Sequence, residues 1–132
     1  MNFRLLRFVA WSSLALVAIL TLAPLGFRPT SAFPPTVERF GSFAAIGLAF
    51  ALAYPRQFLL AAFIAMGAAV ALEALQVLAP TRHGRLFDAA VKLAGSTTGL
   101  LIGLAWQRYA ADAGWKLAAS VQGLFARLRN FG

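Results

Sequence analysis

Apolar residues run along this chain in four blocks, each long enough to cross a bilayer and each bounded by Pro, Arg or Gly. A hydrocarbon core about 30 Å thick needs roughly 20 helical residues at about 1.5 Å each. The first block spans about 8–27, follows Arg4 and Arg7, and ends among Pro24, Arg28 and Pro29. Pro34-Pro35 then leads into Thr36 as an N-cap, with Glu38 placed where a carboxylate suits the positive end of a helix, so the second span covers about 37–54. Pro55-Arg56 makes a tight turn, the third span runs over about 57–79 until Pro80 stops it, and residues 81–85 form a short hairpin loop. The fourth span covers about 86–107. The pattern predicts an all-α membrane protein with four transmembrane helices in an up-down bundle over 1–110.

Beyond the fourth span, Trp115, Ala118, Val121, Phe125 and Leu128 recur at three- and four-residue steps. Lys116, Ser120, Arg127 and Arg129 lie off that stripe. Residues 111–132 therefore read as a separate amphipathic helix lying in the headgroup region, its cations reaching anionic lipid. Docking of a soluble partner is the weaker reading. The first block also resembles a signal peptide, with Thr30-Ser31-Ala32 as a cleavage pattern; a retained anchor is preferred because the rest of the chain is itself membranous.

Composition agrees. Of the 132 residues 61% are hydrophobic and 12% charged, against roughly a quarter charged in soluble proteins. The formal charge of +8 could suggest nucleic acid, but the basic residues sit at the ends of apolar blocks rather than in an aromatic-lined basic patch. Nucleic acid is excluded as a partner on that ground, and membrane lipid is expected instead. Arg4, Arg7, Arg56, Arg108, Lys116, Arg127 and Arg129 fall on one side; Arg28, Arg39, Arg82 and Arg85 fall on the other. The richer side is assigned to the cytoplasm, which puts both termini inside a bacterial inner membrane. With no cysteine and a lone His83, no metal site is expected, and nothing points to a nucleotide, haem or flavin cofactor. Gly95-Ser-Thr-Thr-Gly99 is neither a nucleophile elbow nor a P-loop.

Three ionisable residues inside the spans need an explanation, because a charge in hydrocarbon demands a partner. Glu73 and Gln76 share one face of the third span, and Asp88 and Lys92 share one face of the fourth. Counting from the hairpin, Glu73 and Lys92 both lie about 9 Å below the helix ends, and Gln76 and Asp88 about 3 to 5 Å below them. A Glu73–Lys92 pair is expected at the deeper level, with Asp88, Gln76 and either Arg82 or Arg85 above it. Gly95, Gly99 and Gly103 form a small-residue ladder suited to close packing. Ala45, Ala49 and Ala53 are the expected opposing face, and homo-oligomerisation is the alternative use.

The string Glu73-Ala-Leu-Gln76, Pro80-Thr-Arg82, Asp88, Gly95 and Gly99 resembles the signature of the VanZ-like family of membrane proteins. That signature is E-x-x-Q, P-x-R, an Asp six residues after the Arg, and N-x-x-G-x-x-x-G four residues later. Lys92 stands where the family has Asn. Glu38-Arg39-Phe40-Gly41-Ser42-Phe43 resembles a second family element, D-K-x-x-H-F, without its His. The resemblance implies an integral membrane protein related to an accessory of resistance to the glycopeptide teicoplanin, and it implies no defined reaction.

Three functions compete. In the first, an envelope protein binds or modifies a lipid-linked or anionic ligand, with Gln76, Arg82, Arg85 and Lys92 as ligand-binding residues. Glu73 and Asp88 are then candidate catalytic groups, Glu73 as acid or base and Asp88 orienting Arg82. In the second, the cluster only fixes helix register in a non-catalytic structural or partner-binding protein. Proton-coupled transport ranks last, because four short helices make a thin pathway.

Overall fold

The computed structural model describes residues 2–23, 26, 32–78 and 86–130, and among them every regular element is an α-helix. The helices are α1 (Phe3–Leu22), α2 (Pro35–Ala53), α3 (Phe58–Leu78) and α4 (Leu86–Asn130). All four are long and apolar enough to cross a membrane, which marks the chain as a multi-pass membrane protein.

The boundaries follow local chemistry. α1 begins five residues before the expected start, because the Asn2 side chain accepts from the backbone N–H groups of Arg4 and Leu5 at 3.2 and 3.5 Å and caps the helix there. At the expected end of the first span, residues 24, 25 and 27 lie outside the described residues. α2 begins at Pro35, with Pro34 rather than Thr36 in the capping position. Proline suits the first helical turn because it has no N–H to leave unpaired. The Pro55-Arg56 turn is present, closed by a bond from the Gln57 N–H to the Tyr54 carbonyl at 3.0 Å.

The largest departure is at the C-terminus. The expected break after residue 107 is absent, and α4 continues without interruption to Asn130 over 45 residues, about 67 Å of helix. No proline follows Leu86, and Gly114 and Gly123 in isolation do not stop a helix. Residues 108–130 are exposed throughout.

Laterally, α2 against α4 is the most extensive contact, and α1 packs on α2 and α3. α2 and α4 run in the same direction, with α1 and α3 opposed to them. The glycine ladder on α4 does pack internally, but on a different face of α2 from the alanines expected. Gly95 meets Phe40 and Ala44, Gly99 meets Ala44 and Leu48, and Gly103 meets Leu48 and Ala51. From the other side Gly47 meets Ser96 and Leu100. Ala45 is exposed instead. A Cβ added at Gly95, Gly99 or Gly47 would fall on a carbonyl oxygen of the facing helix, so the two backbones are in direct contact, the geometry that permits Cα–H···O interactions.

Phe43, Ile46 and Phe50 of α2 fill the centre between small residues Ala61, Ala65 and Ala69 of α3. Large side chains point outward, such as Leu59 at 84% and Phe63 at 78% exposure, as expected where lipid is the solvent. At the lower end, where the chain starts, the Trp11 indole donates to the Tyr54 hydroxyl at 3.0 Å and meets Phe50 edge-on. Arg7 lies 4.9 Å from the centre of the Tyr54 ring. Gln107 donates to the carbonyl of Ala51, one of the last carbonyls of α2 that has no partner within its own helix. Tyr54→Phe should destabilise the bundle by about 1 kcal/mol, the usual net value of one hydrogen bond. A detergent-solubilised thermal melt followed by tryptophan emission measures it, and an unchanged midpoint would mean the bond is dispensable.

Candidate polar site at the upper end of the bundle

At the upper end, where α1 and α3 finish and α2 and α4 begin, all four helices contribute to one polar assembly. Its deepest members are Glu73 of α3 and Lys92 of α4. A short connection makes α3 and α4 antiparallel neighbours, so residues equally far from it meet. The Lys92 ammonium donates to Glu73 Oε2 at 2.6 Å, the pairing expected from depth alone. Their side chains are 2% and 9% exposed, so the ion pair is almost fully withdrawn from the surface.

Lys92 donates a second bond to Gln76 Oε1 at 3.1 Å and lies 5.8 Å from the centre of the Phe43 ring. Gln76 in turn donates through Nε2 to the backbone carbonyl of Thr21 at 3.2 Å. That carbonyl belongs to the last turn of α1, where carbonyls lack intrahelical donors. One amide thus ties α1, α3 and α4 together. One turn below, the Ser96 hydroxyl donates to the Ala65 carbonyl at 3.4 Å. Among the described residues no buried side-chain nitrogen or oxygen lacks a partner.

Asp88 differs from expectation. Its carboxylate accepts from Arg39 of α2 at 2.6 Å, and Gln76 is engaged with Lys92 and Thr21 rather than with Asp88. The physical reason is the parallel α2–α4 seam, which sets Gly95 against Phe40 and Ala44 and so brings the long Arg39 side chain within reach of Asp88. Arg82 and Arg85, the expected partners, lie outside the described residues. Glu38 and Asp88 both sit in the first turn of their helices, where a carboxylate offsets the positive ends of two parallel dipoles.

Thr21, Arg39, Gln76 and Lys92, one from each helix, border a cavity of about 210 Å³. Val17, Leu20 and Pro35 give it an apolar side. Glu38, Arg39, Ser42, Gln76 and Lys92 give it a polar one, with Thr21 and Phe43 completing the wall. Arg39 uses one nitrogen on Asp88, so its remaining donors can serve a phosphate or carboxylate in the cavity. Arg39, Ser42, Phe43 and the Thr21 carbonyl were not among the residues singled out for the site from sequence. The charged pair Glu38-Arg39 opening the second span was the signal available for the first of them. The described residues hold no group of three His, Cys, Asp or Glu that could bind a metal ion.

No family model, curated protein or solved structure matches the chain.

Proposed function

We propose that the chain is a VanZ-like integral membrane protein of the bacterial inner membrane that binds, and in one form of the reading modifies, the anionic group of an envelope lipid at the level of the outer leaflet. The upper end is then periplasmic and both termini are cytoplasmic, in keeping with the distribution of Lys and Arg. The observation that carries the reading is the cavity bordered by Arg39 and Lys92, two cations held in place by the carboxylates of Asp88 and Glu73. Ionisable groups inside a membrane are costly even when paired, and around a cavity they mark a candidate functional site. In this reading Arg82 and Arg85 supply further cations, and Glu73 is the candidate acid or base beside Lys92. The part of α4 beyond Gln107 continues the spanning helix on the cytoplasmic side and carries Lys116, Arg127 and Arg129.

Replacing Glu73 by Gln and Asp88 by Asn, with insertion verified by protease accessibility, should change sensitivity to teicoplanin-type and other envelope antibiotics in the native host. Wild-type sensitivity with normal insertion of both variants counts against the reading. Mass spectrometry of lipid retained by the purified protein should show one class enriched over the bulk membrane.

The competing reading is a purely structural cluster. The saturation of the buried polar atoms favours it, since Lys92, Glu73 and Gln76 already satisfy one another. It predicts that a Glu73→Leu, Lys92→Leu double variant keeps the phenotype as well as the fold.

A further inference from the structure

The cavity does not present positive charge alone. Glu38 stands on its wall next to Arg39, in the first turn of α2 and exposed, whereas Lys92 on the same wall is buried. Among the described groups the assembly holds two cations, Arg39 and Lys92, and three carboxylates, Glu38, Glu73 and Asp88. A carboxylate on the same wall as Arg39 and Lys92 repels a ligand that carries only negative charge and attracts one that also carries a cation.

We propose, on the reading that this cavity takes an envelope lipid, that its ligand is a zwitterionic aminophospholipid of the phosphoethanolamine class. The phosphate takes the free donors of Arg39 and the ammonium of Lys92. The primary amine, two carbons away, pairs with the carboxylate of Glu38. Val17, Leu20 and Pro35 supply the apolar side of the same cavity, and this favours a headgroup that arrives with its hydrocarbon over one free in solution. A primary ammonium donates three hydrogen bonds to a carboxylate and its surroundings, and a quaternary trimethylammonium donates none. The site therefore separates phosphoethanolamine from phosphocholine as well as from phosphoglycerol.

The test uses the full chain in maltoside micelles with three dihexanoyl lipids, phosphatidylethanolamine, phosphatidylglycerol and phosphatidylcholine, and with O-phosphoethanolamine as the soluble headgroup. Binding is read by native mass spectrometry and titration calorimetry. Phosphatidylethanolamine should bind at least about tenfold more tightly than either other lipid, a difference of about 1.4 kcal/mol. It should likewise exceed O-phosphoethanolamine by about tenfold. Glu38→Gln, at an exposed position that leaves the bundle intact, should abolish the preference by weakening phosphatidylethanolamine and strengthening phosphatidylglycerol. Tighter binding of phosphatidylglycerol by the wild type, or a preference that survives in Glu38→Gln, overturns the zwitterion while leaving an anionic-lipid site standing. Equal affinity for O-phosphoethanolamine overturns the lipid as the source. Absence of saturable binding by all four overturns both this inference and the proposed function beneath it.

Discussion

Glu73→Leu alone should destabilise the bundle by about 3 to 5 kcal/mol, and adding Lys92→Leu should recover most or all of that loss. The single change leaves an ammonium that is 2% exposed with its carboxylate partner removed and a neutral glutamine beside it. The double change removes both charges, along with the cost of keeping them out of water, and puts leucines in a position lined by Phe43 and small residues. A double-mutant cycle by urea or sodium dodecyl sulfate unfolding in mixed micelles reads the coupling directly. If Glu73→Leu is as stable as the wild type, the short contact between the two groups contributes nothing to the fold. A double variant as unstable as the single would show that the loss comes from packing rather than charge.

Gly99→Leu should have an effect of comparable size through a different route. A Cβ at this position falls on the carbonyl oxygen and amide of the facing helix, at Ala44 and Leu48, so the obstacle is backbone that no rotamer change removes. Even Gly99→Ala should cost about 1 to 3 kcal/mol, the usual range for overpacking, and leucine more. Gly114→Ala and Gly123→Ala meet open space and serve as controls; they should be neutral or slightly stabilising in the same unfolding assay. Equal stabilities for Gly99→Ala and Gly123→Ala would mean that α2 and α4 are not in backbone contact.

The parts that proved legible in sequence share one property, which is that they depend on distance along a single hairpin. The four spans follow from apolar length. The Glu73–Lys92 pair follows from rise per residue on two helices joined by a short connection. The lateral order of helices does not follow from such counting. Arg39 and Asp88 are 49 residues apart, and only the α2–α4 seam makes them neighbours. The same seam explains the mistaken alanine face, because α2 carries small residues on two sides and periodicity cannot choose between Ala45, Ala49, Ala53 and the face containing Ala44, Gly47 and Ala51. The continuation of α4 escapes the pattern for another reason. Twenty residues satisfy a bilayer and Arg108 reads as an end, yet nothing after it breaks a helix. The functional role of the upper cavity is legible in neither length nor spacing, since it rests on which charges share a wall.

The parallel seam also bears on biosynthesis. Chains emerge and insert from the N-terminus, so α1, α2 and α3 reach the bilayer before α4 exists. Until then Gly47 and the carbonyls of Phe40 and Ala44 face lipid, and Glu73 enters without the ammonium that lies 19 positions further on. A carboxylate in mid-insertion carries a penalty of about 2.5 to 3.5 kcal/mol on translocon scales. Nascent chains stalled before Lys92 clears the ribosomal exit should therefore hold the strongly apolar α3 in the membrane before Glu73 has its ammonium, and arrival of the last helix is the event that locks the other three.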